Sequence, residues 1–170
     1  FRVFPIQNNK ITIIRHNGLG FGCHEKYIAL KLLEDHVPCK IIWFVNDMQE
    51  EFPKGIKKVK YTPLKKAFHM TTARLWINDG MMTQNVKKRK GQFYLNTLHG
   101  VGISLKKFGL DAPNFLSQGQ INGILNDAKL ADVYLAGSQF ISEVYKTAFA
   151  TKCRIWISGS PRIDVLLKDE

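Results

Sequence analysis

The stretch "KIIWFVN", residues 40 to 46, has no polar face. Successive side chains of a strand point to opposite sides, so a run of Ile41, Ile42, Trp43, Phe44 and Val45 must be covered on both. That is the pattern of a parallel sheet sandwiched between helices. "DVYLAG", 132 to 137, repeats it. Working outward, further β-branched and aromatic runs predict strands at "KITIIRH" (10 to 16), "KKVKY" (57 to 61), "RLWIND" (74 to 79), "QFYLNTL" (92 to 98) and "CRIWIS" (153 to 158). Helical patterns separate them at roughly 24 to 36, 64 to 71, 115 to 130 and 139 to 150, with a last one at 161 to 169. The expected fold class is α/β: one Rossmann-like domain over residues 1–170, a parallel sheet flanked by helices.

Open α/β sheets bind ligands beyond the carboxyl ends of their strands. The residues that follow each predicted strand therefore carry the functional reading: "HNGLGFG" after the first, "NDM" after the second, "NDG" after the fourth, "HGVG" after the fifth, "SQF" after the sixth and "GSPR" after the last. Glycine and small polar residues let backbone approach a ligand, and helix N-termini receive phosphate. Gly18, Gly20 and Gly22 are spaced GxGxG rather than GxGxxG, which favours a tight turn with a phosphate-accepting helix start over a dinucleotide site. His16 and His24 flank that loop and could line a cleft, or be hydrogen-bonded surface residues. His36 and His69 have no supporting pattern. His99 is delivered by a strand directly onto Gly100.

The balance of charge narrows the partners. Against 14 acidic residues stand 25 Lys and Arg, a formal net charge of +11, which predicts an anionic partner. Lys54, Lys57, Lys58, Lys60, Lys65 and Lys66 cluster, and Lys87, Lys88, Arg89 and Lys90 are consecutive within the apparent loop 86–91. Each such cation is worth on the order of 1 kcal/mol at an anionic bilayer. Aromatic residues sit inside the strand patterns rather than on a basic face, which disfavours a nucleic-acid platform. Cys23, Cys39 and Cys153 show no metal or disulfide spacing, and the longest apolar run is five residues, so membrane contact is expected to be peripheral.

The blocks "KIIWFVND", "QFYLNTLHG" followed by "LKKFGLD", and "ADVYLAGSQF" through "AFATKCRIWISGSPRIDVLL" resemble the amino-terminal half of the CDP-glycerol glycerophosphotransferases, the teichoic acid primases and polymerases, from about residue 10 onward. The resemblance implies the amino-terminal, acceptor-side half of a two-domain GT-B transferase, with the CDP-glycerol nucleotide held mainly by a carboxyl-terminal domain outside residues 1–170. It implies a CDP-polyol donor, a lipid-linked polyol-phosphate acceptor, no further cofactor or metal, and work at the cytoplasmic face of the membrane. The family's Thr-Trp-His-Gly histidine falls on His99, with Thr97 and Gly100 matching and Leu98 in place of Trp. "VGIS" also intervenes before Leu105 and Lys106.

On this reading His99 is the general base for the attacking hydroxyl. Gly18, Gly20, Asn46, Asp47, Thr97, Gly100, Ser138 and Gly159 shape the substrate site, and Lys57, Lys58, Lys87, Lys88, Arg89 and Lys90 face the membrane. Arg162 and Asp164 are expected to form a structural pair at the domain junction. Two other classes share these features: a GT-B glycosyltransferase using a nucleotide sugar, and a non-catalytic module that docks membrane or anionic polymer.

Overall fold

A computed structural model describes residues 1–82, 86–98 and 109–167. Seven strands form one sheet, parallel throughout: β1 (Gln7–Ile14), β2 (Lys40–Val45), β3 (Ile56–Lys60), β4 (Ala73–Asn78), β5 (Phe93–Asn96), β6 (Val133–Ala136) and β7 (Arg154–Ile157), in the order β3-β2-β1-β4-β5-β6-β7. Four helices connect them: α1 (Cys23–Glu34), α2 (Pro63–Thr72), α3 (Gln118–Leu130) and α4 (Gln139–Ala148). All seven expected strands are present, within a few residues of their predicted bounds. The helix expected over 161–169 is not formed in its described part, where Asp164–Leu167 makes only a 3-10 turn. The preceding "SGSP" supplies glycine and proline but no capping hydrogen bond to start an α-helix.

Covering both faces of the sheet produces two cores. Ile11, Ile13, Ile41, Trp43, Val45 and Ile77 pack with Ala29 of α1. The alternate residues Ile14, Ile42, Phe44, Val59 and Trp76 pack with Met70 of α2, and the same cluster runs on through Ile124 of α3 to Tyr145 of α4. Trp43, Phe44, Tyr94 and Tyr134 are completely buried, as central parallel strands require.

One polar group lies in the middle of this apolar layer. Asp127 of α3 is fully buried, and four donors surround its carboxylate: the Met82 N–H at 2.8 Å, the Tyr94 hydroxyl at 2.7 Å, the Asn96 amide at 2.9 Å and the Tyr134 hydroxyl at 2.7 Å. Burial raises the pKa of the carboxyl, and burial together with the Asp127 charge holds both phenols neutral as donors. The network ties α3 to β5, β6 and the turn after β4.

Asp127→Ala leaves those donors buried without an acceptor and is expected to cost about 3–5 kcal/mol. The melting temperature should fall by roughly 10 °C. Thermal unfolding of the variant within 2–3 °C of the parent, an interval set by about 1 kcal/mol in a chain of this size, would contradict this role.

Candidate functional site

Strand order reverses direction between β1 and β4, so the switch point lies where their carboxyl ends diverge. Residues leaving that point are tied across it: the His16 N–H donates to Asp79 Oδ1 at 2.6 Å, joining the exits of β1 and β4. Glu25 on the first turn of α1 accepts a short hydrogen bond from the Thr97 hydroxyl at the exit of β5. The Thr97 N–H donates to the Asn78 carbonyl at 2.9 Å, which fixes the β5 exit against β4. Leu98 then leaves the strand in the left-handed region, φ 46°, a conformation a leucine holds only where its surroundings impose it.

A cleft of about 360 Å³ opens at this edge and brings together Thr97, Leu98, Ser138, Gly159, Ser160 and Arg162, with His24 and Tyr145 also in its wall. Ser138 caps α4, its hydroxyl accepting from the Ile141 N–H at 3.3 Å, so the positive end of that helix lies at the cleft. His24 is buried with Nδ1 3.5 Å from the Ser160 hydroxyl. Desolvation and the Arg162 charge lower its pKa to about 4, which keeps the ring neutral. Arg162 approaches the Cys23 thiol at 3.6 Å, and both Arg162 and Asp164 act on His24.

Gly18, Gly20, Asn46 and Asp47 form a second group beyond β1 and β2. The Asn46 N–H donates to the Gly18 carbonyl at 2.8 Å, and its side-chain amide to the Asn17 carbonyl at 2.9 Å. Gly20 has φ 38°, and a Cβ there would collide with the Glu50 carboxylate. The Phe21 N–H donates to that same carboxylate at 2.6 Å, so an internal anion fills the glycine loop. Asp47 accepts from the Gln49 N–H at 2.8 Å. His99 and Gly100 lie outside the described residues.

The basic residues divide in two. Lys58 donates to the Met48 and Glu50 carbonyls, Lys88 pairs with Asp132 and donates to the Leu130 carbonyl, and Arg89 donates to the Phe4 and Thr71 carbonyls. These three are committed to the fold. Lys57, Lys87 and Lys90 are exposed. Among the described residues no helix is long and apolar enough to cross a membrane.

Sequence reasoning missed the buried acids of the site. Glu25 is fully buried and Asp79 nearly so, and Glu25 Oε2 and Asp79 Oδ2 have no hydrogen-bond partner. With Cys23 they offer three ligand-type atoms within 4.8 Å of one another, the cluster of that kind found among the described residues. The signal was the position of Glu25 in the first turn of a helix whose inner face meets the sheet. Burial raises its pKa to about 7, assisted by the Asp79 charge and opposed by the Thr97 hydrogen bond.

These features define the class: a parallel α/β domain whose carboxyl edge gathers a helix N-terminus, small polar turns and a neutral histidine into a cleft suited to phosphate chemistry. The chain belongs to the CDP-Glycerol:Poly(glycerophosphate) glycerophosphotransferase family, whose sequence profile matches residues 1–170. It is 25% identical over 173 residues to the teichoic acid poly(glycerol phosphate) polymerase of Bacillus subtilis, covering 97% of this chain and 23% of that protein. The polymerase of the same name from Bacillus spizizenii is 24% identical over 180 residues, covering 99% of this chain and 45% of that one. A structure of the wall teichoic acid polymerase TagF superposes with a TM-score of 0.84 at 20% identity, over 96% of this chain and 41% of that one. A histidine-to-asparagine variant of TagF with CDPG gives 0.82 at 20% identity, over 95% and 41%. The chain thus spans less than half the length of these relatives, and the structural likeness establishes the Rossmann-like fold.

The buried acid gives a pH signature of known sign. With its folded pKa raised from 4.5 to about 7, Glu25 contributes stability that is full below pH 4.5 and is lost as pH rises through 7. The shift corresponds to roughly 3 kcal/mol at most. His24 and His69, both lowered to about 4, act in the opposite sense, losing stability as pH falls from 6.5 through 4. Urea unfolding of the parent and Glu25→Gln side by side removes the shared histidine contribution. The parent's stability relative to the variant should decline between pH 4.5 and 8, and a difference independent of pH would contradict the assignment.

Proposed function

We propose that residues 1–170 form the acceptor-side half of a glycerophosphotransferase that moves glycerol phosphate, or a related polyol phosphate, from a CDP-linked donor to a membrane-linked teichoic-acid-type acceptor. Family membership supports the reaction class. The observation that carries the site is the exit of β5: Thr97 and Leu98 line the cleft, and the next residue in sequence is His99.

In this reading the acceptor hydroxyl attacks the β-phosphorus of CDP-glycerol. The new P–O bond forms as the bond to the bridging oxygen breaks, CMP leaves, and the hydroxyl proton passes to the neutral imidazole of His99. A histidine with an ordinary pKa near 6.5 is poised for that transfer at neutral pH. The α4 N-terminus at Ser138 and the turn at Gly159 and Ser160 supply backbone dipoles where negative charge gathers, and Arg162 adds a cation. Gly100, Gly18, Gly20, Asn46 and Asp47 complete the substrate surface, with Glu50 yielding the glycine loop to an incoming anion. The nucleotide is held by a second, carboxyl-terminal domain of the GT-B arrangement. Lys57, Lys87 and Lys90 hold the enzyme peripherally at the cytoplasmic membrane face, and the chemistry needs no cofactor or metal.

In the protein that joins this chain to its donor-binding half, His99→Ala should lower turnover roughly 100- to 10,000-fold with the melting temperature unchanged. Loss of stability with turnover preserved per folded molecule would assign His99 a structural role instead. Robust turnover of CDP-glycerol by residues 1–170 alone would contradict the division of labour.

A further inference from the structure

At the opposite, amino-terminal edge of the sheet a second cavity of about 390 Å³ is lined by Lys10, Lys40, Lys57 and His69. The alternation of strand side chains places the three lysines on one face. Lys10 shares the side of Ile14, Lys40 that of Ile42 and Phe44, and Lys57 that of Val59, all of which pack in the core beneath α2. The register then brings them together: Lys10 stands directly opposite Lys40, and Lys57 opposite Ile42, two residues along from Lys40. Phe68 and His69 of α2 complete the wall.

The charges there are unbalanced. No Asp or Glu is among the described residues lining the cavity. Lys10 is only 4% exposed, yet its ammonium donates to the Thr72 hydroxyl at 2.6 Å and otherwise lies over the Phe68 ring, 5.1 Å from its centroid. An ammonium carries three donors, and holding one in a desolvated place without an anion is costly. Its pKa is lowered to about 8 by desolvation first and then by the Lys40 and Lys57 charges. His69 is pushed down to about 4 by desolvation and by Lys10, Lys57 and Lys65, and its Nδ1 is buried without a hydrogen-bond partner. Folding has brought like charges together around a concave space, which a bound anion would offset.

We propose that this cavity is a phosphate-binding site, separate from the cleft at the carboxyl edge, in which Lys10, Lys40 and Lys57 converge on one phosphate group, either free in solution or on a lipid headgroup. The site goes beyond the transferase reading and shares only Lys57 with its membrane face; neither His99 nor a donor takes part, so pyrophosphate binding here can fail or succeed independently of turnover. Lys40 and Lys57 are exposed, so their truncation leaves the core intact.

Calorimetric titration of the full chain with inorganic pyrophosphate tests the site directly. Binding should be saturable, weaken with added salt, and fall at least tenfold in Lys40→Ala/Lys57→Ala, whose thermal melt should match the parent. Lys87→Ala/Lys90→Ala, the charge-matched control, should bind like the parent. Competition by phosphatidylglycerol vesicles, and not by phosphatidylcholine vesicles, would assign the headgroup as the natural source of the phosphate. Absence of competition would assign a soluble phosphate. Absence of saturable binding, or equal binding by the Lys40→Ala/Lys57→Ala variant, overturns the proposal.

Discussion

The carboxylate of Asp127 is the interaction on which the geometry of the cleft depends. Parallel strands give a sheet a common carboxyl edge, but the hydrogen-bond ladder alone does not fix what leaves that edge. Asp127 gathers donors from β5, from β6 and from the turn after β4, and so sets three strand exits relative to α3. Tyr94 and Tyr134 are large enough to fill the core and carry a hydroxyl that reaches the acid, which is how a charge can be held in an otherwise apolar layer.

From that frame the site acquires its electrostatic character. The exits of β1, β4 and β5 are laced together by hydrogen bonds to Asp79 and Glu25, so these two acids are turned inward. What faces the cleft is the N-terminus of α4, glycine and serine turns, a neutral His24 and Arg162. No Asp or Glu is among the described residues lining that cleft, whereas the glycine loop beyond β1 holds the Glu50 carboxylate, and burial raises the pKa of Glu25 to about 7. Positive charge is treated in the same selective way. Lys58, Lys88 and Arg89 satisfy carbonyls and an acid within the fold, whereas the lysines at the amino edge are left facing one another.

The architecture was legible because two-sided burial leaves a direct trace in residue type. "IIWFV" and "YLAG" could belong only to covered strands, and the seven strands followed. Among the small-residue exits, Thr97, Ser138 and Gly159 are brought into one cleft. The glycine loop read from its spacing is a tight turn, with Glu50, twenty-eight residues beyond Gly22 in sequence, inserted into it. No local pattern announces such a distant partner. Asp127 and Asp79 were illegible for the same reason: each looks like an ordinary polar residue of a helix or turn until the fold brings its donors to it, whereas the only trace of Glu25 was its place on the inner face of the helix. Consecutive basic residues 87–90 read as one exposed patch, but within this loop Lys88 and Arg89 turn back to Asp132 and to backbone carbonyls of the fold. His69 carried no pattern because its meaning comes from lysines on three other elements.

The central claim is that this edge serves transfer of a polyol phosphate, and the leaving group reports on it most directly. Attack at the β-phosphorus of CDP-glycerol releases CMP, whereas transfer from a nucleotide sugar releases a nucleoside diphosphate. The protein carrying this chain, given a glycerol-phosphate acceptor with CDP-glycerol or with each of a panel of nucleotide sugars, should release CMP only from CDP-glycerol and lengthen the acceptor by one glycerol phosphate per CMP. Release of a nucleoside diphosphate with a glycosylated product, and no CMP from CDP-glycerol, would contradict the account.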